Sequence, residues 1–272
     1  MVTLDSSGAW QSARRMVSAN RDMLVAIAGV FFLMPGLIGT VLLPVPQLTG
    51  GMDQQQMTDA VMRFYTAAAP VMLVLTLPML VGYLTLLAML LGRDRPTVGA
   101  AIGLGIRLLP SYLVAQLLIG LVLSVLWLTV VGGLAVILPP MIAALVSLVV
   151  MIYPLVRVVL IGPEMVARRL RNPIRAISGG LSRTRGHFLG ILLYFGPALT
   201  LFVVIYGLVM IFARVVLANI IEGEAQRMIS EAIGAVLIAI GYTYFAAIVA
   251  STYDQLGPVA GAGETISPSS PS

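Results

Sequence analysis

The sequence predicts an all-α, polytopic membrane protein with six transmembrane helices, and three observations predict it. Six long apolar stretches run through the 272 residues; 59% of the chain is hydrophobic and only 10% charged; and its sixteen basic residues, every one an arginine, cluster between alternate stretches. Domains in water carry about 25% charged residues because their surfaces face solvent, so most of this surface is expected to face lipid. A hydrocarbon core of about 30 Å takes about twenty apolar residues per helix, and an excess of basic residues marks cytoplasmic loops.

The first span is read from Met23 to Leu43, broken at Pro35-Gly36, and the second from about Ala67 to Leu91, with Pro70 and Pro78 inside it. Proline is tolerated within membrane helices because neighbouring helices satisfy the freed carbonyls, so kinks are expected there. From Leu108 to Ile161 the one charged side chain is Arg157. As a single helix that stretch would run roughly 80 Å, so it must fold back once. Gly132-Gly133 and Pro139-Pro140 bracket the turn, which places the third and fourth spans near Ser111–Val131 and Met141–Ile161. The fifth span follows from about Phe188 to Phe212 and the sixth from about Ile229 to Ser251. Residues 1–253 then form one membrane domain, and the Gly-, Pro- and Ser-rich residues 254–272 read as a disordered cytoplasmic tail. Arg14, Arg15 and Arg21 precede the first apolar run as in a secretory leader, but no small-x-small cleavage site follows its first dozen residues, so the run is read as a span.

Sorted by side, twelve arginines fall on one face and three, Arg63, Arg214 and Arg227, on the other. This bias predicts a multi-pass protein of the bacterial inner (plasma) membrane with both termini cytoplasmic. Arg157 lies near the cytoplasmic end of the fourth span, where its side chain is expected to snorkel to the headgroups. Glu164, seven residues on, is its candidate partner if the helix continues through Gly162-Pro163.

The basic connectors suggest helices lying in the headgroup layer. Asn172 is a good N-cap and Pro173 suits a first helical position; Ile174, Ile177 and Leu181 then share one face, with Arg175, Ser178 and Ser182 elsewhere. Val98, Ile102, Ile106 and Leu109 suggest a weaker equivalent, and Trp10, Ala13 and Val17 a third. Arg93-Asp-Arg95-Pro96 before Ala101-Ile102 parallels Arg169-Leu-Arg171-Asn-Pro173 before Ala176-Ile177. Three repeated units, each an interfacial helix and a span hairpin, are one expectation; chance similarity between basic connectors is the other.

No catalytic, metal or cofactor motif is present. The chain lacks cysteine, has one histidine, His187, and holds no HExxH or paired aspartates in its spans. The acidic residues sit in loops or at span ends, Glu231 being the nearest to a span interior, which argues against ion-coupled transport. Gln116, Ser124, Ser147, Thr200 and Thr243 are expected to bond between helices. His187 with Arg183 and Arg185 makes at most a phosphate-assisting group, an interfacial histidine being the simpler reading, and Gly186-x-x-x-Gly190 has close-packing spacing. The net charge of +5 is that of cytoplasmic loops rather than of a nucleic-acid surface, since no soluble domain presents it.

The segment Asn172-Pro-Ile-Arg-Ala-Ile-Ser-Gly-Gly-Leu-Ser-Arg-Thr-Arg-Gly-His-Phe188 resembles the signature after the fourth span of YciC-type bacterial inner-membrane proteins. It is similar also to the membrane domain attached to some glycerophosphodiester phosphodiesterases. The polar Met52-Asp-Gln-Gln-Gln-Met57 and Leu109-Pro110 at the third span are shared features, whereas Pro139-Pro140 stands where that family has Pro-Gly. The resemblance implies a six-span, non-catalytic module linked to envelope maintenance, the phosphodiesterase activity belonging to a separate soluble domain.

The expected function is thus a structural or accessory inner-membrane protein without a cofactor. Its partners are membrane lipids, chiefly anionic headgroups of the cytoplasmic leaflet, with a membrane-protein partner or a second copy as further contacts. Arg168, Arg169, Arg171, Arg175, Arg183 and Arg185 are the candidate lipid contacts. The alternative is a transporter or channel for a lipid or hydrophobic solute.

Overall fold

The structure, a computed structural model, describes residues 11, 14–18, 21–43, 53–92, 96–221 and 223–257. Among the described residues there is no strand, and six helical segments are long and apolar enough to cross a membrane. The chain is a multi-pass helical membrane protein. Its helices are α1 (Arg21–Leu42), α2 (Gln54–Leu91), α3 (Val98–Ala135), α4 (Pro140–Val158), α5 (Ile161–Ala167), α6 (Pro173–Arg183), α7 (Phe188–Ala218) and α8 (Glu224–Gln255). Together α4 and α5 make the fourth span.

The irregular turn in α1 falls just before Pro35. Gly29–Leu33 form a π-helical turn, and the Met34 amide bonds to the Gly29 carbonyl five residues back. Proline offers no amide hydrogen and its ring crowds the carbonyl four residues earlier, so the preceding turn absorbs the mismatch.

At 38 residues each, α2 and α3 run about 57 Å, well beyond a hydrocarbon core of about 30 Å. Helix α2 begins thirteen residues before the predicted span because Asp53 and Gln56 cap it reciprocally. The Gln56 amide donates to the Asp53 carboxylate at 2.7 Å, and the Asp53 amide donates to the Gln56 side-chain oxygen at 3.2 Å. At its start, the Thr97 hydroxyl of α3 accepts from the Ala100 amide at 3.3 Å, and the helix continues unbroken through Ile102, Ile106 and Leu109. The separate interfacial helix expected there is instead the first three turns of the third span. Gly132 and Gly133 stay helical, and the fold-back occupies residues 136–139.

Only the second connector, then, carries a helix of its own, α6. Among the described residues the two connectors fold differently. Of the proposed third copy, Val17 packs on the core, while Trp10 and Ala13 lie outside the described residues, as do Arg93 and Arg95. Asp254 and Gln255 belong to α8 rather than to the expected tail, of which residues 258–272 lie outside the described residues.

The core sits at the end where most arginines lie. Val81–Ala88 of α2 are all buried, as are Ala246–Tyr253 of α8. Helix α2 packs against α1, α3, α5 and α8, and α8 also packs against α7. Toward the opposite end the bundle thins: α3 buries nothing after Ile119, and Leu121, Val122, Val125 and Leu128 are exposed. In a bilayer such surface carries no penalty, because lipid tails are as apolar as leucine. Of the polar residues expected to bond between helices, Gln116, Ser147 and Thr243 bond within their own helices, whereas the Tyr194 and Ser251 hydroxyls meet across α7 and α8 at 3.3 Å. The Ser147 and Thr243 hydroxyls donate to the Ala143 and Ala239 carbonyls at 2.6 and 2.9 Å, and the Gln116 amide donates to the Tyr112 hydroxyl at 2.6 Å. For a serine or threonine in a helix, the carbonyl four residues back is the nearest acceptor.

Candidate functional site

The site grows from a break in the fourth span. Pro163 has no amide to give the carbonyl four residues back, so α4 stops at Val158, the chain turns at Val159–Leu160, and α5 resumes at Ile161. The turn carries Glu164 away from Arg157, and the expected pair between them does not form. The Arg157 guanidinium lies 6.0 Å from the Tyr153 ring centroid instead.

Glu164 is 1% exposed and is the hub of a buried cluster. Arg183 Nε donates to its Oε2 at 2.6 Å, the Tyr253 hydroxyl donates to the same oxygen at 2.8 Å, and Arg168 Nε lies 3.1 Å from Oε1. A second Arg183 nitrogen donates to the Gly257 carbonyl. The Arg183 guanidinium also lies over the Tyr253 ring, 4.1 Å from its centroid. A buried carboxylate is tolerable only when paired and hydrogen-bonded, and here both oxygens are engaged.

Helix α6 delivers Arg183. Asn172 caps it as predicted, accepting from the Ile174 and Arg175 amides at 3.0 and 3.2 Å. Its buried face is Ala176, Gly180 and Arg183; Ile177 and Leu181 of the predicted apolar stripe are half-buried beside it, and Ile174 is exposed. The small residues set how closely α6 approaches α5. A Cβ on Gly179 would stand 2.7 Å from Glu164 Oε1, and one on Gly180 would stand 2.9 Å from the Ile161 Cα. The Thr-Arg-Gly of the signature forms the joint that follows. Thr184 is buried and its hydroxyl lies 3.0 Å from the Leu181 carbonyl and 3.3 Å from that of Arg157, while Gly186 turns the chain into α7 with φ +77°.

Beside the cluster lies a cavity of about 890 Å³, walled by the end of α2, the first turns of α3, the joint between α5 and α6 and the end of α8. Arg107, Arg168, Arg169 and Arg183 line it, together with Asp254 and apolar side chains such as Leu91 and Leu104. Arg169 closes α5 in the left-handed conformation, φ 51°, a position glycine usually takes.

Of the six arginines expected to contact lipid, Arg183 is buried with its guanidinium on Glu164, at the cavity wall. Its chemistry explains this: α6 places it opposite the one carboxylate between Asp94 and Glu222. Arg168 is divided, its side chain 54% exposed with one nitrogen on Glu164. Arg169, Arg171, Arg175 and Arg185 are exposed. Arg107, counted only toward topology in the sequence, shares the cavity wall, and Tyr253 carries no sequence signal at all. Glu164 did carry one, as a lone acid in the most arginine-rich part of the chain.

The grouping of His187 with Arg183 and Arg185 does not assemble. His187 Nδ1 donates to the Arg185 carbonyl at 2.9 Å, Arg185 is exposed, and Arg183 points to Glu164. Gly186 is not a close-packing contact either, since a Cβ there would meet nothing within 4 Å. The chain matches no family model, no curated protein and no solved structure.

Proposed function

We propose that the chain is a non-catalytic protein of a bacterial inner membrane, accessory or structural, that serves envelope maintenance through lipid or protein contacts at a basic, cytoplasmic end. The observation that carries this reading is the exposure of Arg169, Arg171, Arg175 and Arg185 around a fold whose nearby carboxylate, Glu164, is already held by Arg183 and Arg168. Among the described residues these four guanidiniums form no ion pair. Near an anionic leaflet each contributes about 1 kcal/mol of attraction. The twelve-to-three division of arginines supports placing this end in the cytoplasm, and the Asn172–Phe188 segment supports assignment to the YciC-type family.

Mass spectrometry of lipids retained after gentle detergent extraction tests the reading. Phosphatidylglycerol and cardiolipin are expected above their share of the parent membrane, with the excess reduced in an Arg171, Arg175, Arg185→Gln variant. Retained lipids in the membrane's own ratio would count against it.

A second reading, passage of a lipid or hydrophobic solute, draws on the cavity at the helix ends. Reconstituted vesicles that scramble or pass such a solute no faster than empty ones would dispose of it.

A further inference from the structure

We infer that the cavity between α3, the joint of α5 with α6 and the end of α8 is a binding site for the phosphate group of an anionic lipid. This rests on the proposed contact with anionic lipid and narrows it from a surface to a pocket.

Charge argues first. Four arginines line the cavity. Among the described residues two carboxylates face them, Glu164, behind the wall and engaged with Arg183 and Arg168, and Asp254, on the wall itself, so the described groups leave a surplus of two positive charges. Among the described residues Arg107 and Arg169 make no side-chain hydrogen bond or ion pair, and both line the cavity. Guanidinium groups match phosphate oxygens in geometry and charge, and two such groups on one cavity are suited to hold a phosphate from two sides.

Shape argues second. The volume lies in the range of about 300–1,000 Å³ typical of small-molecule sites. The first turns of α3 present Gly99, Ala100 and Gly103 to the cavity, and a Cβ on Gly99 or Gly103 would meet nothing within 4 Å. Among the described residues no side chain fills that wall. Leu91, Leu104 and Val166 add apolar surface beside the arginines. A pocket cationic on one part and apolar on another fits an amphiphile with a phosphate head better than a free ion.

The fixed cluster argues third. Glu164, Tyr253 and the Gly257 carbonyl hold Arg183 in place. An arginine ordered before a ligand arrives loses little side-chain freedom on binding.

The phosphate could come from a lipid headgroup or from a soluble ester, and the test separates them. Purified full-length protein in detergent is titrated by calorimetry with dioctanoylphosphatidic acid, glycerol 3-phosphate and inorganic phosphate, with dioctanoylphosphatidylcholine as control. The short-chain phosphatidic acid is expected to bind near one per chain, at least tenfold more tightly than the phosphatidylcholine or either soluble phosphate. Two variants read the site. Arg107→Gln is expected to weaken binding at least fivefold. Gly103→Leu, which enters open space and suits a helix better than glycine, is expected to abolish it while the protein keeps its thermal stability. Equal binding of glycerol 3-phosphate would overturn the lipid assignment in favour of a soluble phosphate ester. Variants that bind as the parent does would overturn the site. If those variants bind normally while the detergent-extracted protein still retains anionic lipid in excess, the pocket falls and the broader surface reading stands; if the excess is also absent, both fall.

Discussion

Glu164 shows how one residue organises this fold. Its carboxylate receives Arg183 at 2.6 Å and Tyr253 at 2.8 Å, so it ties α5 to α6 and to the last turn of α8. Removing one partner of a buried pair leaves the other charge uncompensated, at a cost of about 3–5 kcal/mol. Arg183→Ala and Glu164→Ala are therefore expected to lower thermal stability in mild detergent severely. The double replacement Glu164→Gln with Arg183→Met should cost clearly less than the sum of the single changes, because it leaves no buried charge; strict additivity would mean the two residues are not coupled. Tyr253→Phe loses a hydrogen bond to a charged group, about 1.5–3 kcal/mol, yet keeps the ring beneath the guanidinium. Arg168→Gln should matter least, within about 1 kcal/mol, since that side chain is half in solvent. A ranking with Arg168 above Arg183 would contradict the geometry.

Among the elements, α6 and its contact with α5 decide the architecture of the basic end. Gly180 lies where a Cβ would press on the Ile161 backbone, whereas Gly99 faces open space. Gly180→Ala must push the helices apart, and overpacking of this kind costs about 1–3 kcal/mol. Gly99→Ala meets no obstacle and gains helix propensity, so it should be neutral or mildly stabilising. Thermal unfolding of the two single variants checks the difference, and equal effects would argue against close packing of α6. Much of this element was legible beforehand: Asn172 and Pro173 announce its start, and six apolar runs announce the spans. What was not legible was which face α6 buries. Ile174, Ile177 and Leu181 look like the buried stripe by hydrophobicity, but α5 selects Ala176, Gly180 and Arg183 because Glu164 offers a partner for the arginine. Pairing across nineteen residues and a chain reversal has no local sequence pattern. The reach of α2 and α3 beyond their apolar windows was missed because caps at Asp53 and Thr97, rather than hydrophobicity, set where those helices begin.

For the whole molecule, the fold is tight at its arginine-bearing end, which also carries the cavity and the exposed guanidiniums, and exposes apolar side chains at the other. Its orientation is open to direct measurement, because the native chain has no cysteine to confuse labelling. Ser182 and Thr58 are exposed on opposite ends. With a membrane-impermeant maleimide, Ser182→Cys should label only in inverted vesicles and Thr58→Cys only in intact spheroplasts; the reverse pattern would overturn the cytoplasmic placement. The helical, six-span plan followed from composition and bilayer length, whereas the cavity could not, since its wall joins residues from α2, α3, α5, α6 and α8. This end of the protein is proposed to select anionic lipid. Spin-labelled phosphatidylglycerol and phosphatidylcholine, compared for motional restriction around the reconstituted protein, test it most directly. A preference for phosphatidylglycerol is expected, falling when Arg171, Arg175 and Arg185 become Gln and falling again at high salt. Equal restriction of the two lipids around the unaltered protein would contradict it.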